Sequence, residues 1–167
     1  MKIPKDTHYF KYYNANPKNK HTTDCVIRAI CTALNQNYET TLQELVKMQL
    51  KTGYDISDVK CFGKYLELKG WTKQKQPRKP DNKKYTGDEF CSRLNCDILA
   101  VGKSVIANIG GHHIVCIKET EGLHGSFKIF DIWGSANGCI GNYWIRQWNY
   151  WFNHRRDKAW KNIDLEN

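Results

Sequence analysis

The spacing of apolar residues changes period partway along this chain, and that change restricts the fold more than any other feature. Up to about residue 94 apolar side chains recur at helical intervals, whereas from Ile98 onward they alternate or run in short strand-length groups between glycine-rich turns. Val26, Ile27, Ile30, Cys31 and Leu34 predict a helix with Asp24 as its N-cap. Thr41 Leu42 Gln43 Glu44 has the form of a capping box for a second helix, which carries Leu45, Met48 and Leu50 and stops near Gly53. A third runs from about Ser57 to Leu68 with Val59, Phe62, Tyr65 and Leu66 inward, and Thr86 Gly87 Asp88 Glu89 caps a short fourth that ends at Leu94. Strands are expected at Ile98 to Val101, Val105 to Ile109, His113 to Lys118, Phe127 to Ile132 and Cys139 to Ile145. Helices followed by strands imply an α+β fold, and the short turns imply antiparallel neighbours.

A chain of 167 residues with 40% hydrophobic content can bury a real core, so residues 1–167 are expected to form a single domain. The N-terminus lacks an apolar signal-like stretch and no run of 18 apolar residues occurs, so neither a membrane partner nor secretion is expected, and a reducing, cytoplasmic setting is. Seven cysteines suit that setting: an odd number makes a poor disulfide framework, and most stand where free cysteine acts as a small hydrophobe. Of the net charge of +9, most comes from Lys60 to Lys84, where nine Lys or Arg face only Glu67 and Asp81. The centre of that segment, residues 73–84, has two prolines and hardly any apolar side chain, which predicts an exposed, mobile loop away from any chemistry. Lys75, Arg78, Lys79 and Lys83 are its candidates for holding an acidic partner, with a merely solvated charge run as the alternative. The tail, residues 147–167, is aromatic and basic and is expected to pack as a last helix or strap.

Three residues carry chemistry. Cys25 lies in the first turn of the first helix, the pair His112 and His113 enters an apolar strand, and Asp131 closes the next strand. A thiol nucleophile needs an imidazole base and a third group to orient it, and two adjacent antiparallel strands can bring a histidine and a carboxylate side by side. Successive strand residues point to opposite faces, so only one of the two histidines can meet Cys25.

The segments Asp24 Cys25 Val26 Ile27 Arg28 Ala29 Ile30, Gly111 His112 His113 Ile114 Val115 Cys116 Ile117 and Phe130 Asp131 Ile132 Trp133 resemble the Cys, His and Asp boxes of the papain-like cysteine peptidase superfamily. The likeness is to small bacterial and phage-encoded members and to bacteriocin-leader peptidases, over roughly residues 14 to 135. It implies a papain-like α+β fold, with an N-terminal helical half bearing the nucleophile packed on a C-terminal antiparallel sheet. It also implies a thiol hydrolase without a cofactor, acting on a protein or peptide. In it Cys25 matches the nucleophile and Asp131 the orienting group, while His113 fits the base better than His112 because alternating apolar residues follow it directly. Asn19, six residues before Cys25, stands where the superfamily commonly has a glutamine that helps bind the oxyanion, and Asn16, Lys20, Thr23 or the backbone alone are the alternatives.

Other classes remain open on the sequence. The same constellation serves transglutaminase-like acyl transfer when an amine resolves the thioester. Cys91, Cys96, His112 and Cys116 could contribute to a zinc site, though no paired Cys-x-x-Cys occurs. A non-catalytic module could use the basic loop and tail to bind nucleic acid or an acidic protein.

Overall fold

The computed structural model describes residues 3–94, 103–120 and 126–146. Its elements, in chain order, are β1 (Phe10–Tyr12), α1 (Cys25–Leu34), α2 (Tyr38–Thr52), α3 (Val59–Leu68), β2 (Trp71–Gln74), α4 (Gly87–Leu94), β3 (Ser104–Ile109), β4 (His113–Glu119), β5 (Phe127–Asp131), a 3-10 turn at Ser135–Asn137 and β6 (Ile140–Arg146). The expected strand at Ile98 to Val101, the tail and Cys96 lie outside the described residues.

The fold is a mixed α+β arrangement around one six-stranded sheet in the order β1-β5-β4-β3-β6-β2. Four of its five neighbour pairings are antiparallel, and β1 lies parallel to β5. An N-terminal strand and a strand from the helical half therefore join a sheet expected to be wholly C-terminal and antiparallel. Strand alternation sends Ile106, Ile114, Cys116 and Trp144 to a core shared with α1, α2 and α3. Val105, Val115, Ile117, Ile129 and Ile145 go to a second core with Phe90 and Leu94 of α4 and Phe10 of β1. The sheet is thus buried on both faces, which explains why its inner strands read as nearly continuous apolar runs.

Helix boundaries follow their caps. α1 begins where expected, but the Asp24 side chain makes no capping hydrogen bond. α2 starts before the expected capping box: Asn37 accepts from the N–H groups of Glu39 and Thr40, and Thr41 is buried inside the helix with its hydroxyl on the Asn37 carbonyl. Leu50, expected inward, is 80% exposed because it falls on the outer face of α2. α4 has the expected reciprocal box, with Glu89 accepting from the Thr86 N–H and Thr86 from the Glu89 N–H.

The basic segment departs from expectation. Trp71, almost fully buried, anchors β2 on β6, so Lys73 and Gln74 belong to an edge strand. The rest folds back on itself through an Arg78–Lys84 bridge, with the Lys79 N–H donating to the Lys83 carbonyl and Arg78 to the Asn82 carbonyl. Lys79 pairs with Glu89 and Lys83 with Asp81, which leaves Lys75 and Arg78, both exposed, as the two of the four candidates with no acidic partner among the described residues. Local hydrogen bonding, which charge composition does not reveal, makes this segment an ordered hairpin.

Candidate active site

The β3–β4 hairpin sets the imidazole. Ile109 pairs with His113 across a three-residue turn in which Gly110 and Gly111 have φ values of +64° and +92°, a region that β-carbons disfavour. The turn ends β3 and starts β4 at His113, beside the N-terminus of α1. On the other side of β4, Cys116 pairs with Phe130. One step further along that register puts Asp131 opposite Val115, on the same face as His113 two residues earlier, which makes the two diagonal neighbours.

The geometry follows from this register. His113 Nε2 donates to Asp131 Oδ2 at 2.8 Å. A carboxylate only accepts, so the proton resides on Nε2 and Nδ1 is the nitrogen left to Cys25. Asp131 is 5% exposed and is itself held at two points: its Oδ1 accepts from the Ile132 N–H and its Oδ2 from the Ser135 hydroxyl, both at 2.8 Å. Trp133 covers the imidazole edge-on, with ring centroids 5.1 Å apart.

Electrostatics favour charge separation between Cys25 and His113. Burial alone would raise the thiol pKa; the hydrogen bond with His113, the Ile114 backbone N–H and the nearby positive charges of His113 and Arg28 outweigh it and bring the pKa below 9.0. Burial also opposes the imidazolium, but hydrogen bonds and charge from Asp131 and Cys25 prevail and raise the His113 pKa to about 9. The other buried thiols move the opposite way: burial raises Cys31 to about 11 and Cys91 to about 12, and pushes Cys61 and Cys116 upward. Cys139 is exposed.

A free carboxylate at Asp24 would oppose a thiolate beside it. Arg28, one turn on, neutralises it, pairing with Asp24 at 2.8 Å with both side chains over nine-tenths buried. Tyr38 and Asn16 donate to the other Asp24 oxygen at 2.7 and 2.8 Å. Burial works against the Asp24 charge, yet these partners hold its pKa below the usual carboxylate value. The Arg28 guanidinium also stands 5.2 Å over the Trp133 ring, so the ion pair is stacked beneath the ring that covers His113.

Cys25, His113 and Asp131 are therefore brought together, while His112 projects, exposed, into an adjoining cleft. Asn19 is exposed with a left-handed backbone (φ +51°), and its side-chain oxygen accepts from Asn14. Asn16 is occupied by Asp24, and Lys20 and Thr23 are exposed. Cys91 and Cys116 lie on opposite faces of the sheet, so the described members of the zinc set do not converge. The cleft, about 630 Å³, runs from Cys25 over Val59, Phe62, Ile114 and Trp144 to Lys73 and Gln76. The basic segment thus begins at the cleft, contrary to its expected separation from the chemistry.

Sequence reading missed Arg28, the Ile114 N–H, Ser135 and Lys73. For Arg28 a signal existed, an acid followed four residues later by a base on one helix face. Ser135 and Lys73 come to their places only through turns and pairings that join distant segments. No family model, no curated protein and no solved structure matches this chain.

Proposed function

We propose that this protein is a papain-like cysteine peptidase, a thiol hydrolase that cleaves a peptide, isopeptide or other amide bond of a protein or peptide substrate, with a cytoplasmic setting. The observation that supports this best is His113, bound through Nε2 to a buried, doubly anchored Asp131 while its other nitrogen serves Cys25. No described helix is long and apolar enough to cross a membrane.

In this mechanism the Cys25 thiolate attacks the amide carbonyl carbon. The tetrahedral oxyanion is bound by first-turn N–H groups of α1, which have no partner inside the helix, with Asn19 as the candidate side-chain donor. As the intermediate collapses, the C–N bond breaks and the His113 imidazolium gives its proton to the leaving amine, leaving an acyl-thioester on Cys25. Neutral His113 then takes a proton from water, the hydroxide attacks the thioester, and the carboxylic acid departs as the thiolate–imidazolium pair is restored. Asp131 fixes the tautomer throughout.

A screen of peptide and ubiquitin-like substrates, run in parallel on wild type and Cys25→Ala, tests the reading. It is expected to yield hydrolysis that Cys25→Ala abolishes. Iodoacetamide mapped by mass spectrometry provides a substrate-free check: near neutral pH Cys25 should label roughly tenfold faster than exposed Cys139. Labelling of Cys25 no faster than Cys139 would overturn the assignment of a nucleophile.

A further inference from the structure

We infer that the cleft beside Cys25 reads a substrate carboxylate and that Lys73 is the residue that reads it; this rests on the peptidase reading above and adds the chemistry of the substrate. The cleft leaves Cys25 on the side away from Asp131, crossing β3 and β6 toward β2. Phe62, Ile114 and Trp144 give it an apolar floor that can desolvate the stem of a side chain. No aspartate or glutamate lines it, and Lys73 is the one fully charged side chain among the described residues that do.

The position of Lys73 is set by backbone register. Lys73 pairs directly with Trp144 in the β2–β6 ladder, so the two side chains share a face, and the ammonium stands 5.7 Å over the indole. Of the other cations of the basic region, Lys69 is neutralised by Glu44, Lys79 by Glu89 and Lys83 by Asp81, while Lys75 and Arg78 do not line the cleft. Lys73 has no acidic partner among the described residues. A single ammonium beyond an apolar floor fits one carboxylate on an otherwise apolar peptide, whereas a nucleic-acid backbone calls for a row of cations. The carboxylate can belong to an acidic side chain or to a peptide C-terminus, and both present the same group to Lys73.

Two series of Cys25-directed electrophiles distinguish these sources. Peptidyl vinyl sulfones place Glu or Gln on the acyl side, and chloroacetyl peptides place Glu, Gln, a free C-terminus or an amidated one on the leaving side. The readout is the rate of Cys25 labelling by mass spectrometry in wild type, Lys73→Gln and Lys73→Arg. In one series the carboxylate probe should label wild type roughly fivefold faster than its amide counterpart, the size expected of one solvent-exposed ion pair. Lys73→Gln should remove that preference, Lys73→Arg keep it, and added salt shrink it. Which pair shows the preference identifies side chain or terminus. Equal rates for carboxylate and amide probes, or a preference that survives Lys73→Gln, would overturn the inference and leave the peptidase reading standing. Stronger protection of Cys25 by a short oligonucleotide than by the carboxylate peptides, lost in Lys73→Gln, would overturn it in favour of a phosphate ligand. Failure of every probe to label Cys25 faster than Cys139 would overturn the peptidase reading as well.

Discussion

His113 and His112 are neighbours with opposite fates, one pinned between Asp131 and Cys25, the other exposed on the wall of the cleft. His113→Ala should abolish both turnover and the enhanced alkylation of Cys25, whereas His112→Ala should keep most of the alkylation rate. Asp131→Asn should leave the fold intact and cut turnover by orders of magnitude, since an amide can hold the wrong tautomer in place. Loss of Cys25 alkylation in His112→Ala and its retention in His113→Ala would show the register of the base to be wrong by one residue. The Asp24–Arg28 pair makes a separate prediction, about stability. Removing Arg28 alone, as Arg28→Met, strands a buried carboxylate and should cost roughly 3–5 kcal/mol in urea denaturation. The double variant Asp24→Asn with Arg28→Met should recover much of that loss, because the uncompensated charge is gone. Equal losses in single and double variants would mean that packing of the guanidinium under Trp133, and not charge, is what Arg28 contributes.

At the scale of elements, α4 meets the sheet through a glycine. A β-carbon at Gly87 would lie 2.5 Å from Ile129 Cδ1 and 2.8 Å from the Ala136 carbonyl oxygen, so the helix can approach β5 only without one. Gly87→Ala should therefore destabilise the fold by about 1–3 kcal/mol, an overpacking cost, despite improving helix propensity. A denaturation midpoint at or above that of wild type would show that α4 can shift outward. The same elements show what a sequence can and cannot disclose. α1, α3, α4 and four strands were legible because each carries its own periodicity and turn residues, and Gly110–Gly111 located the hairpin that sets His113. β1 and β2 were not: strands of three and four residues have too little alternation to register, and each exists because a distant strand offers its edge. The juxtaposition of Cys25, His113 and Asp131 was readable because each stands at the end of an element, Cys25 opening α1, His113 opening β4 and Asp131 closing β5. Its surroundings were not, because Ser135 reaches Asp131 from a turn and Lys73 reaches the cleft through an edge pairing. Asp24 shows a third kind of failure, where the right residue at an N-cap is diverted by a stronger partner one turn away.

For the molecule as a whole, the charge state of the Cys25–His113 pair links stability, and on the proposed reading turnover, to pH. The fold raises the His113 pKa from 6.5 to about 9, so the stabilisation it lends to the imidazolium is complete below about 6.5, the unfolded value, and disappears as pH rises through about 9. Melting temperature should accordingly fall between about pH 7 and 10 by more in wild type than in His113→Gln. Turnover should show an alkaline limb near 9, where the proton needed by the leaving amine is lost, and an acid limb below the ordinary thiol value, where Cys25 protonates. A turnover rate still rising through pH 10 would indicate that neutral His113 is the active form. The parallel strand β1 adds a matter of timing. It holds β5 from the outside, with the Tyr13 N–H on the Asp131 carbonyl at 2.9 Å, so Asp131 is seated by a segment made more than a hundred residues before it. Cys25 is therefore synthesised more than a hundred residues ahead of Asp131, and on the proposed reading its thiol gains its oriented base only once β5 has been made and has docked on β1.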